Sequence, residues 1–109
     1  MPPVLEKFGL HAGIEELVFE CNTSKSVKVS YSNKLKNLSL SDVNIDNQLH
    51  IFRIIQELIN NSIKHGESKE ISIFFAEENK NFIIEYSDNG RGIDLNKIGF
   101  KKRYWTFKY

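Results

Sequence analysis

The chain has a single cysteine, Cys21, among 109 residues. One thiol cannot close an internal disulfide, so a disulfide scaffold is excluded and a reducing, cytoplasmic setting is expected. Charge of one sign is also missing. Fifteen basic residues against fourteen acidic ones leave a formal net charge of +1, which argues against a dedicated nucleic-acid or membrane-surface binder. No window approaches the ~18 apolar residues of a membrane span, and the N-terminus lacks a signal-peptide pattern. A membrane anchor of a longer parent protein would lie outside this stretch. Internal repeats and low-complexity tracts are absent as well. His11, His50 and His65 do not stand at a metal-ligand spacing and read as surface or helix-end residues.

What remains is an ordinary globular composition, 40% apolar and 27% charged, consistent with one small soluble domain. A chain of this size buries somewhat over ~60% of its unfolded surface, enough for one modest core. Pro2 and Pro3 suit a helix start, since a first-turn proline sacrifices no helical hydrogen bond. Gly9 separates that short helix from a second, in which Leu10, Ile14, Leu17 and Val18 recur at helical spacing until Asn22-Thr23-Ser24 ends it. Val27, Val29 and Tyr31 alternate with Lys28, Ser30 and Ser32, the pattern of a half-buried strand. Residues 33–48 are polar and turn-rich, with Leu35, Leu38 and Leu40 as anchors and room for a second short strand.

A long helix is predicted over about 46–65, with Asp46 as N-cap and Gly66 as the stop. Leu49, Phe52, Ile55, Ile59 and Ile63 form its buried side, widened by Ile51, Ile54 and Leu58. At roughly 100° per residue, His50, Arg53, Glu57, Asn60, Asn61 and Lys64 share the opposite arc. Two strands follow: Ile71, Ile73 and Phe75 alternate in one, Phe82, Ile84 and Tyr86 in the next, with Asn79-Lys80 as hairpin tip. Asp88-Asn89-Gly90-Arg91-Gly92 then breaks the strand.

The chemistry sits in two places. On the helix, Glu57 and Asn61 are one turn apart and therefore neighbours. Asn61 offers a neutral oxygen suited to Mg²⁺. Glu57 can orient a water or accept a proton. Lys64 can pair with a phosphate. A solvated helix face is the plainer reading, but paired asparagines are poor helix formers and ask for a reason. At the turn, the Asp88 carboxylate can accept a hydrogen bond from the exocyclic amine of adenine, and the glycines let a ligand approach the backbone. A simple β-turn is the plainer reading here. Gly90-Arg91-Gly92 is not a dinucleotide fingerprint, because the third glycine is missing. The basic, aromatic stretch Lys101–Tyr109 is weak support for nucleic-acid stacking.

In this order, Glu57-Leu-Ile-Asn-Asn61-Ser-Ile-Lys64-His65 resembles the N box, and Asp88–Gly92 the first glycine box, of the ATP-binding domain of sensor histidine kinases. That fold is shared with gyrase-type topoisomerases, heat-shock chaperones and mismatch-repair ATPases. Residues 1–17 and Phe52–Glu57 are similar to the nitrate-sensor-like subfamily. The resemblance implies an α+β, two-layer α/β sandwich, with a mixed, mostly antiparallel sheet, helices on one face, and an incomplete C-terminus. It implies ATP and Mg²⁺ as ligands. Asn61 would hold the metal, Asp88 would read adenine, and Glu57 would polarise the attacking group. Lys64 and His65 would lie near the phosphates, with Gly90 and Gly92 shaping the pocket wall.

Residues 1–102 are thus expected to be the N-terminal portion of the domain, with 1–20 as linker helices, 46–65 as the N-box helix and 86–93 as the first glycine box. Residues 103–109 are expected to lie outside the family pattern. If Arg103 is encoded AGG, dropping its first base makes 103–108 read Gly, Ile or Thr, Gly, and then permits Leu, Leu or Ser, Asn or Ser. That resembles a second glycine box, and an extra base in the A-rich lysine codons is the expected cause; sequencing the gene decides it. The parent would transfer the ATP γ-phosphate to a histidine on a dimerisation helix and pass it to a response regulator. With that histidine expected upstream of Met1, autophosphorylation by this piece is expected to be absent. The alternatives are an anti-sigma-factor-type switch kinase and a non-catalytic fragment that forms a homodimer. The linker-like residues 1–17 argue against the first.

Overall fold

The computed structural model describes residues 2–24, 27–65, 68–90 and 101–108. Helix α1, Pro3–Phe8, starts directly after Pro2 and stops at Gly9, whose φ of 92° suits only glycine and whose N–H closes on Leu5 O at 3.0 Å. Helix α2, Leu10–Ser24, follows at once and buries Leu10, Ile14 and Cys21. Strand β1, Lys28–Asn33, is clamped to the end of α2 by one side chain. Asn22 Oδ1 accepts from Val29 N–H at 2.7 Å and Asn22 Nδ2 donates to Val29 O at 2.9 Å.

Within residues 33–48 no second strand forms among the described residues. The backbone instead makes a 3₁₀ turn at Leu40–Asp42 that buries Leu40. The preceding loop is held by Glu77, whose Oε1 accepts from the consecutive N–H groups of Lys36, Asn37 and Leu38, at 2.6 Å from Asn37 and 3.2 Å from Leu38. These bonds satisfy the backbone without a sheet partner, which is why the expected strand is not needed.

Helix α3 spans Ile45–Lys64. Its N-cap is Asn44, not Asp46: the Asn44 Oδ1 accepts from Asn47 N–H at 2.9 Å, and Asp46 falls in the first turn, where its charge complements the helix dipole. The apolar stripe is as expected at Phe52, Ile55 and Ile59, with Ile51 also fully buried, whereas Leu49, Leu58 and Ile63 are half-buried. Two polar residues extend the stripe at either end, Gln48 and Ser62, both 6% exposed. The helix closes at His65, so the stop expected at Gly66 lies outside the described residues.

Strands β2 (Glu70–Glu78) and β3 (Asn81–Asp88) form a hairpin across Asn79 and Lys80, which have φ of 52° and 65°. Both central residues in the left-handed region is the turn whose twist matches paired strands. Strand β4, Lys101–Lys108, pairs antiparallel with β3, Asp88 opposite Lys101. The sheet order is β1-β2-β3-β4, with β1 parallel to β2 and the other pairs antiparallel. Ile71, Ile73 and Phe75 of β2 and Phe82, Ile84 and Tyr86 of β3 point into one core shared with α1, α2 and α3. The alternate residues are half-buried or exposed, except Ser87 at the end of β3, which is buried. The result is the expected mixed sheet with helices on one face. Among the described residues no helix is long and apolar enough to cross a membrane.

Candidate functional site

The long helix and the turn after β3 meet at one end of the sandwich. The β2–β3 hairpin brings β3 back antiparallel, so that its last residue, Asp88, arrives beside the final turns of α3. Ser62 Oγ donates to Asp88 Oδ2 at 2.7 Å. Gly90 N–H donates to Asp88 Oδ1 at 2.9 Å, a local turn bond of the kind aspartate favours. Tyr86, 1% exposed, lies behind the pair. Its Oη is 2.5 Å from Ser62 Oγ and 3.1 Å from Leu58 O, to which it donates. The Asp88 carboxylate is therefore held from both sides, by the helix and by its own turn.

The turn is anchored on its other flank. Asn89 Oδ1 accepts from the N–H groups of Lys69 and Glu70, both at 2.9 Å, and Asn89 N–H returns a bond to Glu70 O at 3.2 Å. Ser68 N–H reaches Ser62 O at 3.0 Å, which ties the start of β2 to the end of α3. Ser68 Oγ is buried with no hydrogen-bond partner among the described residues, a residual polar demand beside this junction.

The predicted residues fall as follows. Glu57, Asn61, Lys64 and His65 are all exposed along the solvent arc of α3 and its cap. Asp88 is half-buried and Gly90 is buried. Gly92 lies outside the described residues, as do residues 91 and 93 of the expected glycine box, whereas 86–90 are described. The Ser62–Asp88 bond joins the two motifs: the residue next to Asn61 touches the acid of the turn. Sequence reasoning missed Ser62 and the Tyr86 hydroxyl. The signal was available, because position 62 continues the period of Ile55 and Ile59, and a serine there must bond something.

The three histidines do not form a metal set. His11 instead joins α2 to β1, with Nδ1 at 2.7 Å from Tyr31 Oη and Nε2 at 3.0 Å from Glu15. Burial, and then the Glu15 charge, pushes the Tyr31 phenol above its usual range. Among the described residues no cluster of three or more His, Cys, Asp or Glu could hold a metal ion. The oxygen of Asn61, one turn beyond Glu57, suits an ion that keeps most of its ligands from water and phosphate rather than from the protein.

A half-buried aspartate at a strand end is thus latched to a helix whose outer arc carries Glu57, Asn61 and Lys64. Residues 46–108 match the family described as histidine kinase-, DNA gyrase B-, and HSP90-like ATPase, and the chain belongs to that family. Among curated relatives it is 27% identical over 97 residues to the sensor histidine kinase ComP of Bacillus subtilis, covering 88% of this chain and 12% of ComP. It is 25% identical over 97 residues to the sensor histidine kinase LiaS of the same species, covering 89% of the chain and 26% of LiaS. Over a shorter stretch of 56 residues it is 41% identical to the histidine-protein kinase/phosphatase DegS of Bacillus subtilis, covering 50% of the chain and 14% of DegS. The chain thus spans only about an eighth to a quarter of these relatives' length. In fold it is similar to the Acinetobacter baumannii histidine kinase AdeS, with a TM-score of 0.53 at 16% identity over 85% of this chain and 50% of that one. It is also similar to the Erythrobacter litoralis EL346 blue-light activated histidine kinase, with a TM-score of 0.51 at 13% identity over 77% of this chain and 29% of that one.

Proposed function

We propose that this chain is the ATP-binding portion of a two-component sensor histidine kinase. The observation that carries the reading is the Ser62–Asp88 hydrogen bond, which brings the acid of the turn against the helix bearing Asn61. In this reading Asp88 accepts from the exocyclic amine of adenine, and the Gly90 backbone borders the base. Lys64 contributes positive charge toward the phosphates, and His65 lies near them. Glu57 orients the group that attacks the γ-phosphate. Asn61 would hold Mg²⁺ through its side-chain oxygen, and the ion would supply charge neutralisation for the phosphates. Catalysis in the parent is then mainly positioning. The phosphate passes to a histidine of a dimerisation helix and on to a response regulator, in a cytoplasmic setting.

Titration with a fluorescent ATP analogue labelled on the ribose, with and without Mg²⁺, tests this. Wild-type protein is expected to bind, more tightly with Mg²⁺. Asp88→Asn is expected to lose most of the affinity, and Asn61→Ala is expected to lose the Mg²⁺ enhancement. Binding that is indifferent to both substitutions would refute the assignment. The histidine-kinase relatives favour this reading over a switch kinase of the anti-sigma type.

A further inference from the structure

We infer that Ser62, backed by Tyr86, is a positioning residue that fixes the Asp88 carboxylate, so that discrimination between purine bases runs through helix α3 and not through Asp88 alone. This rests on the ATP reading above and names the residues that set its base specificity.

Ser62 is 6% exposed on a helix stripe otherwise occupied by Ile55 and Ile59. A hydroxyl in that position is unfavourable unless it is bonded, and alanine would fill the same place with less cost. A serine hydroxyl carries one proton. The 2.7 Å bond commits it to Asp88 Oδ2. Toward Tyr86 Oη, 2.5 Å away, Ser62 therefore accepts, and the phenol proton is shared between Ser62 Oγ and Leu58 O. The hydroxyls thus form a directed chain, Tyr86 to Ser62 to Asp88, in which each bond polarises the next. Gly90 N–H occupies the other carboxylate oxygen at 2.9 Å.

With one donor from the described residues on each oxygen, the plane of the carboxylate is fixed between the helix and the turn. Each oxygen keeps a further lone pair for a ligand N–H. A carboxylate fixed in this way presents an acceptor to an exocyclic amine without first having to be ordered. The same acceptor opposes a carbonyl at that position. Removing the Ser62 hydroxyl frees Oδ2 to rotate, and the contrast between amine and carbonyl falls.

The test is competition between ATP and ITP, whose base carries a carbonyl where adenine carries the amine, for the labelled ATP analogue on the full chain. Wild type is expected to prefer ATP. Ser62→Ala is expected to reduce the ATP:ITP affinity ratio by roughly tenfold, the scale of one hydrogen bond to a charged group, through weaker ATP binding with ITP little changed. Tyr86→Phe is expected to reduce the ratio by less, and Ser62→Thr to restore it. Ser62→Cys keeps the volume with only a weak donor; it reads the same loss should the alanine variant fail to give a native circular-dichroism spectrum. An unchanged ratio in natively folded Ser62→Ala or Ser62→Cys overturns the inference. Equal losses for ATP and ITP overturn it too, since that is what a merely structural role gives. Wild type that fails to bind ATP, or does not prefer it to ITP, removes the ATP reading first and this inference with it.

Discussion

Gln48 carries a structural load that its residue type does not advertise, and replacing it with alanine measures that load. The side chain is 6% exposed on the inner stripe of α3. Its Oε1 accepts from Leu10 N–H at 3.1 Å, and its Nε2 donates to Val43 O at 2.6 Å. Leu10 opens α2, so its N–H has no partner within that helix. Leu10 is 1% exposed, so water does not substitute for the lost acceptor. A buried donor left unpaired costs roughly 1–3 kcal/mol. The half-buried Val43 carbonyl regains solvent more easily and adds less. Loss of the packed aliphatic stem adds about 1 kcal/mol. Gln48→Ala should therefore destabilise the domain by about 3 kcal/mol, or roughly 10–15 °C in Tm for a chain of this size. Urea unfolding followed by circular dichroism reads this as a lower midpoint with an unchanged slope. Gln48→Glu keeps the acceptor for Leu10 but turns a second oxygen toward Val43 O; it should be destabilised at neutral pH and recover as the acid protonates and donates. A Gln48→Ala variant within about 0.5 kcal/mol of wild type, the range of an ordinary surface change, would show that α2 does not depend on α3 for its first N–H.

Two further outcomes follow from side chains outside the site. Burial tends to raise the Glu77 carboxyl, but the N–H groups of Leu38, Lys36 and Asn37, together with the Lys36 charge, outweigh it and hold the carboxyl below its usual value. A group depressed on folding stabilises above its unfolded pKa, and that stabilisation is lost as pH falls through the folded one. Glu77→Gln should accordingly lower the urea midpoint at neutral pH and converge with wild type in acid; a constant difference across the range would refute the loop clamp. At the hairpin tip, Lys80 holds a φ of 65°, where glycine is preferred. Lys80→Gly should raise stability by about 0.5 kcal/mol, and a clear loss in thermal unfolding would mean the lysine side chain contributes there.

The binary pattern alone gave the helix over 46–65 and the alternating strands at 71–75 and 82–86, because burial on one face imposes periods of 3.6 and 2 on the sequence. It also gave the solvent arc of Glu57, Asn61 and Lys64, since charged and amide side chains avoid the core. Boundaries were less legible: Asn44 and Asp46 are both good caps, and only the geometry of the first turn selects Asn44. The loop before α3 was illegible for a different reason. Its conformation depends on Glu77, about 40 residues away, and no local pattern encodes so distant a partner.

Ser62 and Gln48 divide what sequence and tertiary structure each decide. Helical period places both on the buried face, and that much belongs to the chain itself. Which groups they bond could not be read there. Ser62 meets Asp88 across 26 residues and Gln48 meets Leu10 across 38, contacts that exist only once the β2–β3 hairpin folds back and α2 docks on α3. A single hydroxyl or amide is satisfied by many possible partners, so its choice is fixed by packing and not by composition. The residues proposed to meet a nucleotide were therefore set by the sequence, whereas the Ser62–Asp88 hydrogen bond was decided by the fold.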